Sequence, residues 1–287
     1  MTSAETLRRV LDTNRLICFP TCFDALSARL VRDAGFPLSF MSGFGVAAVR
    51  LCQPDTGLIS FAEMLDQLRS ICGAVPGFPI IGDGDTGYGN AVNVRRTVSE
   101  YARAGAACVM IEDQVMPKKC GHFEGKQVVS REEARLKIRA AVEAAREAGI
   151  LVLARTDARS VDGLEAAISR CRDFEEEGAD IIFLEAPQSR DELAQFVGAM
   201  RQPTMANLAP GGKTPMLSRA ELGAIGVRLV SYHPLLPAAV KAMEDALAAL
   251  AADDEARMPA MVSLDRVKEI VGLPAYQALE ARYGTSA

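Results

Sequence analysis

The chain has 287 residues, of which 49% are hydrophobic and 24% are charged, and its net charge is −5. This composition is that of a globular protein, and a chain without a Lys/Arg block offers no basic face to nucleic acid. No apolar stretch approaches the roughly 20 residues that span a bilayer, and the polar amino terminus lacks a secretory-signal layout. We therefore expect a soluble, cytoplasmic protein with neither a nucleic-acid nor a membrane partner.

Short apolar, β-rich runs alternate with amphipathic segments along the chain. Such alternation predicts a parallel sheet, and eight repeats in a chain of this length favour closure into a (β/α)8 TIM barrel, an α/β fold of roughly 250 residues. The alternative is an open, doubly wound sheet. The predicted strands are Leu16–Pro20, Leu38–Met41, Pro79–Gly82, Cys108–Glu112, Leu151–Arg155, Asp180–Glu185, Thr204–Asn207 and Arg228–Tyr232. Predicted helices between them include Ala91–Ala104, Arg131–Ala148, Gly163–Glu177 and Arg190–Met200.

The chain continues beyond the eighth predicted strand. Ala238–Ala251 has a helical pattern, and Ser263–Tyr283 adds helix that a barrel does not need. We expect a single barrel domain over residues 1–287, with residues 238–287 as a carboxy-terminal helical extension that packs on a neighbouring molecule.

The cysteines do not suggest a disulfide framework or a zinc knuckle, because their number is odd and they lack paired short spacings. We expect most of them to be small buried hydrophobic residues. They stand at positions 18, 22, 52, 72, 108, 120 and 171.

Carboxylates follow the third and fourth predicted strands, at the end of a barrel where active sites form. Asp83 and Asp85 follow the third strand, Glu112 and Asp113 the fourth, and Asp55 lies in an intervening loop. Like charges repel unless a cation neutralises them, and Mg²⁺ prefers hard oxygen ligands that leave room for water. The pattern predicts a Mg²⁺ site, with Mn²⁺ as a substitute. The alternative is a solvated turn.

A polar loop, Pro117–Lys126, follows the fourth strand and carries Cys120 beside Lys118, Lys119 and His122. Nearby positive charge lowers the pKa of a thiol and makes it a competent acid or base. The alternative is an incidental loop thiol among solvated lysines.

The remaining strand ends are also polar. Arg155 suits a substrate carboxylate and its negatively charged intermediate, although pairing with Glu185 across the barrel is a competing interpretation. The turn Ser42–Gly45 offers backbone N–H groups and a hydroxyl to an anion, as do many turns that bind nothing. Asn207 and His233 end the seventh and eighth strands and complete a polar ring.

The chain resembles the isocitrate lyase and phosphoenolpyruvate mutase superfamily in two motifs that occur in the same order. They are Asp-x-Asp-Thr-Gly-Tyr-Gly-Asn at residues 83–90 and Lys-Lys-Cys-Gly-His at residues 118–122. The resemblance covers nearly the whole chain and is closest to the methylisocitrate and dimethylmalate lyase branch. It implies a homotetramer in which carboxy-terminal helices are exchanged between subunits. It also implies chemistry through a magnesium-bound enolate of a 2-oxo acid.

By position, the resemblance makes Asp85 the nearest magnesium carboxylate, with Asp55, Asp83 and Glu112 acting mostly through water. It implies that Arg155 stabilises the negatively charged oxygen of the enolate. It places Cys120, on a loop that closes over the site, as the acid that protonates the leaving carbanion. The substrate contacts it implies are Ser42, Gly43, Phe44, Asp83, Arg155, Glu185 and Asn207, and the further catalytic candidates are Lys118, His122 and His233.

The cysteine loop favours the lyase branch, because the mutase and phosphonopyruvate hydrolase branches generally lack that cysteine. The predicted function is magnesium-dependent cleavage of a 2-hydroxy dicarboxylate, alkylmalate- or methylisocitrate-like, to a 2-oxo acid such as pyruvate plus a second carboxylate. Two residues depart from the methylisocitrate lyase pattern. Pro210 stands where such lyases usually have Glu. His233 stands near a position at which the oxaloacetate decarboxylases of the superfamily also have a histidine.

Three alternatives follow from these departures and from the wider superfamily. The first is decarboxylation or hydrolysis of oxaloacetate on the same site. A more distant one is a phosphonopyruvate mutase or hydrolase. The third, an inert anion-binding protein, is disfavoured by the intact carboxylates, Arg155 and Cys120.

Overall fold

The computed structural model describes residues 1–13, 15–121, 125–209 and 211–284. Its strands form a closed parallel barrel in the order β1 to β8, and the pairing of β1 with β8 rules out an open sheet. The predicted TIM barrel is confirmed, with strand ends shifted by at most two residues. The strands are β1 Ile17–Cys22, β2 Ser39–Met41, β3 Ile80–Asp83, β4 Cys108–Glu112, β5 Leu151–Thr156, β6 Ile181–Leu184, β7 Thr204–Leu208 and β8 Leu229–Tyr232.

All the helices of the barrel except α7 (Leu164–Glu176) begin at side-chain caps that the sequence supplies. One such cap is Asn90, whose amide oxygen accepts hydrogen bonds from the first-turn N–H groups of α5 (Ala91–Arg103). The prediction missed α3, which begins directly after Ser42 where a turn was expected. The helices are α1 Ser3–Asp12, α2 Ala25–Asp33, α3 Gly43–Leu51, α4 Phe61–Ala74, α5 Ala91–Arg103, α6 Arg131–Ala148, α7 Leu164–Glu176, α8 Arg190–Gly198 and α9 Arg219–Ile225.

Every residue of β4 and β5 is buried, as expected for parallel strands covered by helices on one face and closed on the other. Close helix packing also fixes the end of β3. The Tyr101 hydroxyl of α5 donates to the Asp83 carbonyl over 2.9 Å. A Cβ at Gly82 would lie 3.0 Å from the Tyr101 ring, so glycine permits this approach. The Asp83 backbone is therefore held firmly at the barrel mouth.

The barrel unit comprises Met1–Pro234, and Leu235–Ala287 forms a second compact unit. The second unit contains α10 Leu235–Ala251, α11 Leu264–Ile270 and α12 Leu273–Tyr283. The predicted helical segment Ser263–Tyr283 is interrupted at Gly272, whose φ of 81° is left-handed. Within the described ranges, no helix is long and apolar enough to cross a membrane. Four of the cysteines, at positions 22, 72, 108 and 171, are buried, as expected, whereas Cys52 is exposed.

Candidate active site

Asp83 and Asp85 are locked in place where β3 ends. The two carboxylate oxygens of Asp83 accept from the backbone N–H groups of Gly43 (3.0 Å) and Asp85 (3.1 Å). Asp85 has a left-handed φ of 47°, and its Oδ2 accepts from the Tyr88 hydroxyl at 2.9 Å. A non-glycine residue in this region usually indicates a constrained turn. The loop therefore directs both carboxylates toward the barrel mouth.

Lys118 brings a positive charge to these carboxylates. Its Nζ lies 2.5 Å from Asp55 Oδ1 and 2.8 Å from Asp85 Oδ1, and its side chain is only 4% exposed. Burial alone would lower the pKa of Lys118, but Asp85 and Asp55 outweigh it and raise that pKa well above its usual value. Lys118 is therefore a charged partner of the carboxylates here, and its catalytic role stays a prediction.

The carboxylate cluster, which we define as Asp55, Asp83, Asp85 and Glu112, is short of positive charge. Burial, followed by repulsion from Asp85, raises the pKa of Asp83 to about 6. Burial likewise raises the pKa of Asp55, and raises that of Glu112 well above its usual value. Deprotonated carboxylates in this setting require a nearby cation.

The cluster contains acceptors that suit a hard cation. Within the described residues, Asp55 Oδ1, Asp85 Oδ1 and Glu112 Oε1 are buried and accept no hydrogen bond of regular geometry, although the first two lie near Lys118. In the described part of the chain, no three acidic, histidine or cysteine side chains converge as direct ligands of one ion. This donor set fits Mg²⁺, which usually binds through one or two carboxylates and keeps several waters.

Arg155, at the end of β5, is surrounded by carboxylates. Its Nε and Nη2 each donate to Asp157 over 2.9 Å. Its Nη1 lies 3.2 Å from Glu112 Oε2, and its Nη2 lies 3.6 Å from Glu185 Oε2. The pairing of Arg155 with Glu185, the competing interpretation from sequence, is present as this ion pair, and Asp157 is the bidentate partner. Two parallel bonds fix the plane of the guanidinium group.

The loop carrying Cys120 packs against this arginine. The Cys120 N–H donates to the Asp55 carbonyl over 3.0 Å. The next residue, Gly121, is so close that a Cβ there would lie 2.7 Å from both Arg155 Nη2 and Glu185 Cδ. The backbone at Cys120 and Gly121 therefore contacts Asp55 at one residue and Arg155 at the next. His122 lies outside the described residues.

The predicted anion-binding turn is the amino terminus of α3. Ser42 caps this helix, its Oγ accepting from the Gly45 N–H over 3.2 Å. The Gly43 N–H is bound to Asp83, and a Cβ on Gly43 would lie 2.5 Å from Asp83 Oδ2. The Phe44 side chain is 44% exposed. Gly43 therefore links this helix to β3, and its N–H is already engaged.

Asn207 and His233 meet at the ends of β7 and β8. Asn207 Oδ1 accepts from the Ser231 hydroxyl over 2.9 Å and contacts His233 Nε2. His233 Nδ1 lies 3.3 Å from Thr21 Oγ1. His233 is therefore held between Thr21 and Asn207 through both ring nitrogens. Pro210, the other departure noted in the sequence, lies outside the described residues.

Asp113 does not join the carboxylate cluster, contrary to the expectation that it gathers with Glu112. Neighbouring residues of a strand point to opposite faces. Asp113 accepts from the Thr156 hydroxyl over 2.7 Å and from the Asp157 N–H over 2.9 Å, and Arg170 Nη1 lies 3.3 Å away. It therefore holds the backbone of β5 behind the site.

Sequence reasoning also missed Gln114 and Lys126. Gln114 bonds both the N–H and the carbonyl of Lys119, and Lys126 Nζ bonds the Gly121 carbonyl and Asp157. Neither residue carries a motif signal, because a polar residue beside a loop is ordinarily solvated. Their burial, at 1% and 8% exposure, becomes evident only when the loop path is known.

Comparison with known proteins places this site in context. The family model described as phosphoenolpyruvate phosphomutase matches residues 7–251. The chain is 41% identical over 288 residues to a 2,3-dimethylmalate lyase from Eubacterium barkeri, covering 99% of both chains. It is 41% identical to a 2-methylisocitrate lyase from Aeropyrum pernix over 84% of this chain and 77% of that one. An oxaloacetate decarboxylase from Paraburkholderia xenovorans is 33% identical over 98% and 94%.

Solved structures give the same grouping. Oxaloacetate acetylhydrolase in complex with 3,3-difluorooxalacetate superposes with a TM-score of 0.94 and 36% identity, covering 100% of this chain and 98% of that one. Phosphonopyruvate hydrolase in complex with oxalate and Mg²⁺ superposes with a TM-score of 0.87 and 33% identity, covering 99% and 100%.

Proposed function

We propose that this chain, which belongs to the phosphoenolpyruvate mutase and isocitrate lyase superfamily and is a carbon–carbon lyase, cleaves a small alkyl-substituted 2-hydroxy dicarboxylate. The products would be a 2-oxo acid such as pyruvate and a second carboxylate. The observation that carries the proposal is the approach of the Cys120 loop to both halves of the site, since the Cys120 N–H bonds the Asp55 carbonyl and Gly121 lies against Arg155. In the proposed roles, an acid, a cation site and an anion stabiliser would then act on one substrate.

We propose Mg²⁺ as the cofactor, with Mn²⁺ as a substitute. Asp85 would hold the ion, and Asp55, Asp83 and Glu112 would act mostly through water. The buried acceptors without hydrogen bonds, and the Lys118 ammonium that they attract, support a cation at this place. So does the presence of Mg²⁺ with oxalate in the related phosphonopyruvate hydrolase. When bound, the ion supplies Lewis-acid stabilisation of negative charge on substrate oxygen.

The residues of the chain then have distinct roles. At the amino terminus of α3, Ser42 and Phe44 would orient a substrate carboxylate, and Gly43 would join them by exchanging its bond to Asp83 for one to the substrate. Glu185 and Asn207 would contribute further contacts. The Arg155 guanidinium, held flat by Asp157, would stabilise the oxygen that gains negative charge.

Bond cleavage needs one proton in and one proton out. The C2 hydroxyl would pass its proton to a carboxylate of the carboxylate cluster as the C2–C3 bond breaks and C2 becomes a carbonyl carbon, and the electrons of that bond would pass to the leaving fragment. Cys120 would then donate the proton that completes this fragment. Lys118 and His122, on the same loop, would supply positive charge near the thiol.

We also propose a homotetramer with exchanged carboxy-terminal helices, and a cytoplasmic location. The support for assembly is the apolar surface of the second unit, since large exposed apolar surfaces usually mark interfaces. Its exposed hydrophobic side chains include Met243, Leu247, Leu250, Met261, Val262, Leu264, Val271 and Tyr276.

The direct test is to incubate the protein and MgCl₂ with 2,3-dimethylmalate, 2-methylisocitrate, oxaloacetate and phosphonopyruvate, and to measure 2-oxo acid formed or consumed. We expect turnover of an alkylated 2-hydroxy dicarboxylate. Cys120→Ser should abolish cleavage while Mg²⁺ and oxalate still bind, and Cys52→Ser, at an exposed thiol, is the matched control. Turnover of oxaloacetate alone would refute the lyase proposal.

A second candidate function is decarboxylation or hydrolysis of oxaloacetate. The observation that favours it is the position of His233, which contacts Asn207 at the barrel mouth. The similarity to an oxaloacetate decarboxylase and to an oxaloacetate acetylhydrolase also supports it. His233→Gln separates the two functions. Lyase activity that survives this change makes the histidine structural or a determinant of specificity, whereas loss of oxaloacetate turnover supports the second function.

A further inference from the structure

The loop that carries Cys120 rises from a short antiparallel stem. The Val115 N–H donates to the Gln127 carbonyl and the Val129 N–H donates to the Asp113 carbonyl, each over 2.9 Å. Gln114 and Val128 are bridged between these two bonds. Because Asp113 follows β4 directly, the stem is anchored on the rigid barrel.

Gln114 reaches from this stem to the residue before Cys120. Its Nε2 donates to the Lys119 carbonyl over 2.8 Å, and its Oε1 accepts from the Lys119 N–H over 2.9 Å. The residue is only 1% exposed. Two bonds from one buried amide to one residue fix both the position and the orientation of that backbone, because the buried Gln114 amide would be left without partners if Lys119 moved away.

Lys126 reaches the residue after Cys120 from the other arm of the loop. Its Nζ donates to the Gly121 carbonyl over 2.6 Å and to Asp157 Oδ1 over 2.8 Å, with a side chain that is 2% exposed. The same Asp157 holds Arg155 through both carboxylate oxygens. A buried ammonium group needs its partners, so displacing Gly121 is unfavourable for Lys126.

We infer that Gln114 and Lys126 are positioning residues that hold Cys120 through its two neighbours, and that Lys126 ties this loop to Arg155 through Asp157. Neither side chain reaches the reacting atoms in this role. The inference rests on the acid role proposed for Cys120, since its kinetic consequence requires that role. The hydrogen bonds that Gln114 makes to Lys119 and that Lys126 makes to Gly121 do not depend on the role of Cys120.

The test compares Gln114→Met and Lys126→Met with the parent enzyme. We expect kcat to fall about 10- to 100-fold, as for loss of one or two buried hydrogen bonds, with KM changed by less than about threefold because neither Gln114 nor Lys126 is itself a proposed substrate contact. We also expect faster amide hydrogen exchange in the segment 117–121, measured without substrate. Gln114→Glu, which keeps the acceptor, should restore part of kcat.

Matched controls exist in the same chain. Gln67 is a partly buried glutamine that donates to the Phe23 carbonyl, and Lys137 is a buried lysine near Glu133, both outside the loop. Gln67→Met and Lys137→Met should leave kcat and exchange in segment 117–121 unchanged. An equal loss of kcat in these controls would overturn the inference, because it would make the effect one of general stability.

The two proposals fail differently. Unchanged kcat and unchanged exchange in both Gln114→Met and Lys126→Met would overturn the positioning role, even if Cys120→Ser is inactive. If Cys120→Ser keeps full turnover, the acid role is wrong. Faster amide exchange in Gln114→Met and Lys126→Met would then still support the positioning of the loop by these two residues. Should Lys126→Met fail to fold, Gln114→Met alone carries the test.

Discussion

Two groups of buried charges lie side by side at the barrel mouth, and they differ in how their charges are balanced. The carboxylate cluster of Asp55, Asp83, Asp85 and Glu112 has acceptors without hydrogen bonds. In the neighbouring Asp157 group, which consists of Arg155, Lys126 and Asp157, two cations share the carboxylate of Asp157 through three hydrogen bonds.

The pKa values reflect this difference. Burial raises the pKa of Asp83 to about 6. Burial acts in the same direction on Asp157, but Arg155 and Lys126 outweigh it and lower the pKa of that carboxyl. The Asp157 group is therefore satisfied by its own two cations, whereas the pKa values of Asp55, Asp83 and Glu112 stay raised even with Lys118 and Arg155 beside the carboxylate cluster, which is the reason that we propose a further cation there. We therefore expect the Asp157 group to serve stability and orientation, and the carboxylate cluster to serve binding and catalysis.

The largest expected effect comes from the carboxylate cluster. Asp85→Asn should lower kcat/KM by about 10³-fold or more, since the contribution of a metal ion to charge stabilisation is several kcal/mol. The unfolding midpoint without Mg²⁺ should change little, because Asp55 still pairs with Lys118 after the Asp85 charge is lost, and the repulsion between Asp85 and its neighbouring carboxylates is removed. Steady-state kinetics and thermal unfolding in EDTA measure the two quantities. A large loss of stability would contradict the distinction between the two groups.

Asp157→Asn should show the opposite pattern in stability. It leaves Arg155 and Lys126 buried with a neutral partner, and removing one member of a buried ion pair typically lowers the free energy of unfolding by about 3–5 kcal/mol. Urea denaturation without Mg²⁺ measures this effect. Asp191→Asn, whose side chain is 84% exposed, is the control and should change stability by less than about 0.5 kcal/mol. Equal stabilities of the two variants would refute the structural role of Asp157.

The sequence predicted the barrel because apolar strand runs and amphipathic helices specify it locally. It also predicted that Asp55, Asp83 and Asp85 gather, because strand ends of a parallel barrel share one rim. It did not predict α3, since Gly43-Phe44-Gly45 has low helix propensity and only the Ser42 cap indicates a helix start.

The contacts made by the Cys120 loop, Pro117–Lys126, could not be predicted from the sequence either. The approach of Lys118 to Asp55 and Asp85, and of Lys126 to Asp157, depends on the path of a long loop. Hydrophobic periodicity gives no information about such a path. Glu112 and Asp113 are adjacent in sequence, yet they serve different networks because strand residues alternate between faces.

The smallest expected effect is a pH dependence confined to the carboxylate cluster. Since the folded pKa of Asp83 is raised above its unfolded value, the folded protein without Mg²⁺ binds more protons than the unfolded chain between about pH 4 and 6. Stability without Mg²⁺ therefore falls as the pH rises through that window. Mg²⁺ competes with these protons, so its apparent affinity should fall by about tenfold per pH unit below about pH 6 for each proton displaced.

The increase in Tm produced by excess MgCl₂ follows from this competition, because a ligand stabilises the state that it binds. We expect a small increase at about pH 5 and a larger one above about pH 7. Differential scanning fluorimetry across this range measures it, and Asp85→Asn should reduce the increase at every pH. A Mg²⁺-induced increase that does not vary with pH would mean that the ion binds away from these carboxylates. The Asp157 group, with its lowered pKa, should contribute nothing to the dependence in this window.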